Sequence, residues 1–235
     1  MSRIDTAPRR GRPKKKKRGA SPLTVVGVLL LAIGLGCLGY IGWQYFGTNV
    51  VSQRAFNEER GNLREQWQGE NNTETADPGS AVPGDAVALM RIPALGEDYE
   101  VPVLKGTDAG TLARGLGWYE NTAQPGEVGN FAVAGHRVTH GEPFARILEL
   151  EKGDEVVVET SSAVYTYEIT VPPKDITVDD SETWPLDPVP DHESQEPNSD
   201  QDPSEAILTL TTCTDLFHSP DRSIGFAVLS DTENK

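Results

Sequence analysis

A long uncharged segment near the N-terminus constrains this chain more than any other feature. No residue from Gly19 to Gln53 carries a charge, and within that span Pro22 to Phe46 reads PLTVVGVLLLAIGLGCLGYIGWQYF. A helix needs about 20 apolar residues to cross the hydrocarbon core of a bilayer, and this run is longer. The sequence therefore predicts one transmembrane signal anchor over residues 23–46.

Charges are distributed unequally on the two sides of this run. Residues 1–23 hold nine lysines and arginines against one acidic residue, whereas the rest of the chain holds 12 basic and 35 acidic residues. Basic residues favour the cytoplasmic side of a membrane, and aromatic residues favour its interfaces. We therefore expect a basic cytoplasmic tail over residues 1–22, a single pass through the cell membrane and an extracytoplasmic remainder. A cleaved signal peptide is the alternative, although its apolar core is usually only about 7–15 residues long.

Beyond the anchor, a polar segment is followed by a segment rich in strand-forming residues. Residues 47–81 are polar and are expected to form a juxtamembrane stalk and linker, in which the first part is either an extended stalk or a partial helix, with Gly61 interrupting any helix. Residues 82–232 contain short runs rich in β-branched and aromatic residues, separated by Gly, Pro, Asp and Ser, which is the pattern of strands. Many short strands with few helical stretches predict an all-β domain, either an antiparallel β-barrel or a sandwich.

One stretch of this domain departs from the strand pattern. Residues 179–205 are acidic and proline-rich with almost no aliphatic side chains, which predicts a long solvated loop. Two roles remain open for it. It is either a lip beside a substrate site, since a strand follows directly, or a disordered insertion that adds solubility.

Cys213 is the one cysteine outside the apolar run, since Cys37 lies within it. An unpaired extracytoplasmic cysteine indicates a reactive thiol, an intermolecular disulfide or a buried structural thiol. A thiol becomes a good nucleophile when its thiolate is stabilised or a base removes its proton. Arg222 follows nine residues later. If the two flanking strands are neighbours, its guanidinium returns beside the sulfur, where it stabilises a thiolate or binds a carbonyl.

Four histidines are candidates for the partner of this thiol. His136 ends the apolar run FAVAG, a common setting for a site residue. His140 follows four residues later, but HRVTH lacks the glutamate of the zinc pattern HExxH. We expect a solvated side chain for His192 in the acidic loop, whereas His218 either reaches the thiol or points to solvent.

The segment LTLTTC, followed at nine residues by Arg222 and preceded by AVAGHR, resembles the sortases, membrane-anchored cysteine transpeptidases of Gram-positive bacteria. The resemblance covers about residues 82–231 and implies an eight-stranded sortase-type β-barrel with short helices. It implies that Cys213 is the nucleophile, that His136 protonates the leaving amine and that Arg222 positions substrate. Thr212 matches a position that helps to shape the substrate site.

The resemblance also implies a reaction. A sortase cleaves an LAxTG- or LPxTG-like sorting signal between Thr and Gly through a thioacyl enzyme, and attaches the secreted protein to an amine of peptidoglycan. The segments TLTTCTDLFHSPDR and VAGHR are most similar to class E, and next to class D. No cofactor, metal or nucleic acid is expected. The rival functions are a non-catalytic, membrane-anchored sortase-like binding module and a metal-dependent wall hydrolase that uses His136 and His140.

Overall fold

The structure is a computed structural model. It describes the chain in four ranges, which are residues 21–70, 86–197, 201–213 and 220–235. Several expectations fall outside them, namely the basic tail up to residue 20, the linker over 71–81, the domain start at 82 and the role of His218. The chain divides into two compact units, residues 1–41 and 42–235, and each is described by itself.

Among its described residues, the first unit contains one helix. Helix α1 spans Pro22–Gly42, and its large apolar side chains, such as Leu29 and Leu35, are exposed. Among the described residues it is the one helix that is long and apolar enough to cross a membrane. A helix that is apolar on all sides requires an apolar environment to cover it, and a bilayer provides one.

The second unit is built on a closed β-barrel. Its nine described strands are β1 Ala86–Arg91, β2 Glu100–Lys105, β3 Leu116–Trp118, β4 Gly129–Ala134, β5 Glu155–Glu159, β6 Ala163–Val171, β7 Thr177–Asp179, β8 Ala206–Cys213 and β9 Asp221–Asn234. Eight of them form a ring in the order β6-β5-β1-β2-β3-β4-β8-β9, which closes where β6 pairs with β9. Strand β7 attaches to the start of β9. The predicted eight-stranded barrel is confirmed.

Short helices connect the strands. Helix α3 spans Ala109–Leu112 and is capped by Asp108, whose carboxylate accepts the backbone N–H groups of Gly110 and Thr111. A side-chain acceptor at this position satisfies amide groups that have no partner within the helix. Three 3-10 turns complete the set, at Pro93–Leu95, Ile147–Glu149 and Trp184–Leu186.

The barrel interior follows from strand alternation. Leu208 and Leu210 of β8 are fully buried in the main core with Phe131 and Val133 of β4, the strand beside it. Because successive side chains of a strand point to opposite faces, this leaves Thr209 and Thr211 on the other face. Both threonines are also buried, so β8 is covered on its two sides.

The segment expected to be a stalk is a helix that packs on the barrel. Helix α2 spans Thr48–Glu70 and passes through Gly61, so the expectation that this glycine would interrupt a helix is wrong. Phe56 and Leu63 are buried along one face, and Glu59 forms an ion pair with Arg114 at 2.7 Å. A glycine in a helix costs about 1 kcal/mol, whereas burying one such apolar side chain contributes about 1.5–3 kcal/mol, so packing outweighs local propensity.

The acidic loop is also fastened to the barrel, in contrast to the solvated loop that its composition predicts. Trp184 is only 1% exposed and packs in a second apolar cluster, with Ile176, Val178, Ile224 and Phe226. One large aromatic residue buries enough surface to anchor an otherwise polar segment. The part of the loop around Trp184 is therefore held against the barrel.

Candidate active site

Cys213 at the end of β8 pairs with Arg222 at the start of β9. Strands β8 and β9 are antiparallel, and Cys213 is the direct cross-strand partner of Arg222. Directly opposed residues project from the same face, with Cβ atoms about 4.5–5.5 Å apart. The thiol of Cys213 is free and half-buried. The nine-residue spacing thus brings Cys213 and Arg222 opposite each other on neighbouring strands.

His136 reaches the same end of the barrel through the neighbouring strand. Strand β4 runs parallel to β8, with Ala134 opposite Thr211. His136 lies two residues beyond this pair along one chain, and Cys213 lies two residues beyond it along the other. The Gly135 N–H donates to the Thr211 carbonyl at 3.1 Å, which keeps the chain beside β8 beyond the last residue of β4.

Thr212 fixes this junction from the other side. Its side chain is 3% exposed, and its hydroxyl donates to the carbonyl of Gly135 at 2.8 Å. A side-chain donor that is buried and paired in this way holds the residue before His136 against the residue before Cys213. Because its hydroxyl is buried and bonded to the backbone, Thr212 holds the two chains of the candidate site together and does not present a polar group at the surface of that site.

The space around Gly135 leaves no room for a side chain. A Cβ at this position would lie 2.5 Å from the ring of Phe144 and 2.6 Å from Leu116, both of which belong to the core. Neither core side chain has room to retreat in a densely packed interior. The GHR segment quoted above thus begins with a glycine because the turn into His136 crosses directly over the core.

The loop that carries His136 folds back on itself. The carbonyl of His136 accepts the N–H of Phe144 at 3.0 Å, so the loop closes between these residues. The ring of His140 stacks on the ring of His136, with 4.8 Å between centroids and 26° between planes. His140 also holds a 2.9 Å contact between its Nδ1 and the hydroxyl of Thr139. The two histidines quoted from HRVTH therefore form a stacked pair.

The acidic loop supplies the surroundings of Arg222. Strand β7 pairs with β9 so that Val178 lies opposite Arg222, on the side away from Cys213. The guanidinium forms a 3.4 Å ion pair with Asp180. Hydrogen bonds from the Ser181 hydroxyl and N–H, together with the nearby charge of Arg222, lower the pKa of Asp179 below its ordinary value. The start of the loop thus presents carboxylates to the arginine.

A buried amide ties the same loop to the strands of the site. Asn130 of β4 is 1% exposed, and its amide donates to the carbonyls of Pro185 and Asp187, each at 2.9 Å. Its own carbonyl accepts the hydroxyl of Thr209 at 2.6 Å. Beside this base lies a cleft of about 250 Å³, lined by Thr177, Val178, Asp179, Glu182, Trp184 and Gln195.

His192 is exposed, as expected for a residue of the acidic loop. Its ring lies 6.1 Å from the ring of Phe226, centroid to centroid, so one edge of this exposed side chain approaches the second apolar cluster. Within the described ranges, no group of three or more His, Cys, Asp or Glu residues is arranged to hold a metal ion.

The sequence missed three residues that shape the site. Asp180 carries the ion pair to Arg222, Asn130 holds the loop, and Asn49 of α2 contacts the turn beyond His140. Asn130 lies within a predicted strand, where a buried polar side chain signals a bonded partner. Asn49 has no such signal, because only docking of α2 brings it to the turn.

Comparison with known proteins identifies the family. The sortase domain model matches residues 90–230. Sortase SrtE1 of Streptomyces coelicolor is 34% identical over 95% of this chain, which spans 61% of the length of that relative. Sortase D of Bacillus subtilis is 32% identical over 80% of this chain and 88% of its own. The structure of sortase E from Streptomyces avermitilis aligns with a TM-score of 0.56 and 40% identity, over 64% of this chain and 91% of that one.

The fold and these matches define a class of protein, the cysteine transpeptidases built on a closed β-barrel. The chain belongs to the sortase family. The predicted similarity to classes E and D is confirmed, because both classes occur among these relatives.

Proposed function

We propose that this chain is a sortase transpeptidase in which Cys213 is the nucleophile, His136 the proton donor and Arg222 the residue that binds the substrate carbonyl. Its substrate is a secreted protein with an LAxTG- or LPxTG-like sorting signal, and its acceptor is a peptidoglycan amine. Thr212 acts as a positioning residue through Gly135.

The observation that carries this proposal is the meeting of three strand ends. Cys213 and Arg222 are cross-strand partners, and the Thr212–Gly135 hydrogen bond holds the chain leading to His136 beside them. A cation beside a thiol favours its thiolate, and a guanidinium is also a good donor to an oxyanion. An imidazole at the same edge supplies a proton near neutral pH.

The reaction proceeds in two acyl transfers. The sulfur of Cys213 attacks the carbonyl carbon of the signal's threonine, and the negative charge that develops on the oxygen is stabilised by Arg222. The C–N bond to glycine breaks as the imidazolium of His136 gives its proton to the departing amine, which leaves a thioester. An acceptor amine then attacks the thioester carbonyl and loses its proton to His136, the C–S bond breaks, and the Cys213 thiolate leaves as the new amide bond forms, which restores the thiolate and imidazolium of the starting state.

The test uses the full chain in detergent micelles with LAxTG and LPxTG peptides and a short amine. Mass spectrometry should detect an adduct on Cys213 equal to the peptide acyl group, and amine addition should remove it. Cys213→Ala should abolish cleavage, a loss of at least about a thousandfold, because the nucleophile acts in both steps. His136→Ala should leave a slow residual reaction, and a chelator should have no effect.

The outcomes separate the rival functions. Peptide binding without any adduct or cleavage, for either peptide, would favour the non-catalytic binding module and contradict the transpeptidase proposal. Cleavage that persists in Cys213→Ala and disappears with chelator would favour the metal hydrolase. Turnover of one peptide and not the other would assign the sorting signal.

The membrane arrangement is part of the proposal. Helix α1 is expected to anchor the protein as a single-pass signal anchor, with the basic N-terminus in the cytoplasm and the barrel outside, where sorting signals and wall precursors are accessible. Protease added to intact protoplasts should degrade the barrel and spare an N-terminal tag. Release of the barrel as a soluble product that lacks residues 22–42 would show a cleaved signal instead.

A further inference from the structure

Helix α2 grips the loop that carries the two histidines. The side-chain carbonyl of Asn49 accepts the N–H of Gly141 at 2.9 Å, and its amide donates to the carboxylate of Glu142 at 2.7 Å. One turn further, the Gln53 amide donates to the carbonyl of Gly141 at 3.0 Å. Both backbone groups of Gly141 are therefore bonded by side chains of α2.

Apolar packing closes the same contact. The ring of Phe56 is buried, and a Cβ added to Gly141 would lie 2.8 Å from it and 3.2 Å from the Cβ of Ser52. Only a glycine permits this approach between the helix and the turn. The contact thus combines three hydrogen bonds with close apolar packing, and together these fix the position and the orientation of the turn relative to α2.

The gripped turn has a backbone conformation that needs support. His140, Gly141 and Glu142 have φ angles of 55°, 82° and 50°. Left-handed conformations are unfavourable for residues with a side chain, and they persist where surrounding structure holds them. The contacts from Asn49 and Gln53 fall on the central residue of the three, so α2 supplies that support.

The left-handed turn supports His136. His140 is the first residue of the left-handed turn, and its ring stacks on the ring of His136 at 4.8 Å. Across the loop, His136 is held by its carbonyl bond to Phe144. A continuous series of contacts therefore runs from Asn49 through Gly141 and His140 to the imidazole of His136.

We propose that α2 is the positioning element of the proton-donating histidine, with Asn49 and His140 as positioning residues that act through the Gly141 turn. The inference rests on the proposed function, since it concerns the group that protonates the leaving amine. It assigns a catalytic task to a segment that lies between the membrane helix and the barrel in sequence. When the hydrogen bonds from α2 to the turn are lost, the turn relaxes and the imidazole leaves its position, while the thiol and the substrate groove keep their positions.

The experiment compares Asn49→Ala with Arg64→Ala in the full chain in detergent micelles. Arg64 lies on the same helix, is 54% exposed and pairs with Glu100 away from the turn, so it is a matched control. For Asn49→Ala we expect kcat to fall on the order of tenfold or more, because misplacing a reacting group by about 1 Å can cost about a hundredfold. KM should stay within about twofold of the control, since substrate binding does not use the imidazole.

A pair of reciprocal changes tests the contact itself. Asn49→Asp keeps the acceptor for the Gly141 N–H but sets a carboxylate against Glu142, so kcat should fall. Combining it with Glu142→Gln restores a donor–acceptor pair with the roles exchanged, and kcat should recover. Thermal unfolding of each variant reports whether the fold is intact. Rescue by the double variant would not occur if Asn49 only stabilised the helix.

Two results would overturn the inference. One is a kcat for Asn49→Ala within about twofold of that for Arg64→Ala, which would show that the grip does not act on catalysis. The other is a double variant no more active than Asn49→Asp. Failure of the proposed function is distinguishable, because the wild type would then show no turnover of either peptide, or Cys213→Ala and His136→Ala would keep wild-type turnover. The histidine ring signals in NMR spectra would still report whether Asn49→Ala displaces His136.

Discussion

Two polar segments, helix α2 and the described part of the acidic loop, lack the hydrophobic pattern of core elements, yet both are fixed to the barrel. Helix α2 uses one face, with two apolar anchors and polar contacts to the loop of His136. The acidic loop uses one tryptophan and a buried amide, and reaches the strand of Arg222.

The difference shows how one site receives support from two directions. Helix α2 contacts the histidine side of the site, while the acidic loop contacts the arginine side, and the cysteine strand lies between. The helix adds to the main core, whereas the loop has its own smaller cluster. We therefore expect changes in α2 to affect global stability and kcat, and changes in the loop base to affect the groove and KM.

The largest effect on stability is expected for Phe56→Ala. Phe56 is 2% exposed and belongs to the main core, so its truncation should lower the free energy of unfolding by about 3–5 kcal/mol. Chemical denaturation of the full chain in micelles measures this, with Arg64→Ala expected to cost less than about 0.5 kcal/mol. A cost as small as that of the control would mean that α2 is a stalk after all.

A somewhat smaller effect is expected for Trp184→Ala. The second cluster is small and close to the surface, so it can collapse around the change, and the cost should fall near the lower end of about 3–5 kcal/mol. KM for the sorting peptide should rise more than kcat falls, whereas for Asn49→Ala kcat should fall while KM stays nearly constant. If steady-state kinetics showed the same changes in kcat and KM for both variants, the two segments would not differ in their effect on catalysis.

Asn130→Ala should give a moderate effect localised to the loop. The change leaves the carbonyls of Pro185 and Asp187 and the hydroxyl of Thr209 without their buried partner, at a cost of about 1–3 kcal/mol. Hydrogen exchange should increase in the loop and remain unchanged in α2. Thr209→Val, which removes only one of the three bonds, is the matched control, and faster exchange in α2 would contradict this assignment.

The smallest effect is expected for the pH dependence contributed by Asp179. Its pKa is lowered in the folded state by the Ser181 hydrogen bonds and by Arg222. A depressed carboxyl pKa stabilises the fold above the ordinary carboxyl pKa, and that contribution disappears as pH falls through the depressed value. The stability difference between wild type and Asp179→Asn should therefore shrink from neutral pH towards about pH 2. A constant difference would show that Asp179 has no such role.

Several features of the fold could be predicted because they are local. The apolar run over Pro22–Gly42 and the alternation in β8 each follow from one stretch of sequence. The pairing of Cys213 with Arg222 follows from the short distance along the chain between β8 and β9. The short strands β3 and β7 have no comparable signal in the sequence, because three residues are too few to establish a period.

The sequence by itself determined the long apolar helix and the strand-rich domain, because the length of the apolar run and the alternation of side chains encode them directly, while the resemblance to the sortases implied the eight-stranded barrel and the roles expected of Cys213, His136 and Arg222. Only the tertiary structure decided what α2 and the acidic loop do. Their attachment depends on a few distant partners, such as Asn49 with Gly141 and Trp184 with Phe226. Such contacts leave no periodic trace in either segment, since the partners are brought together only when the barrel closes.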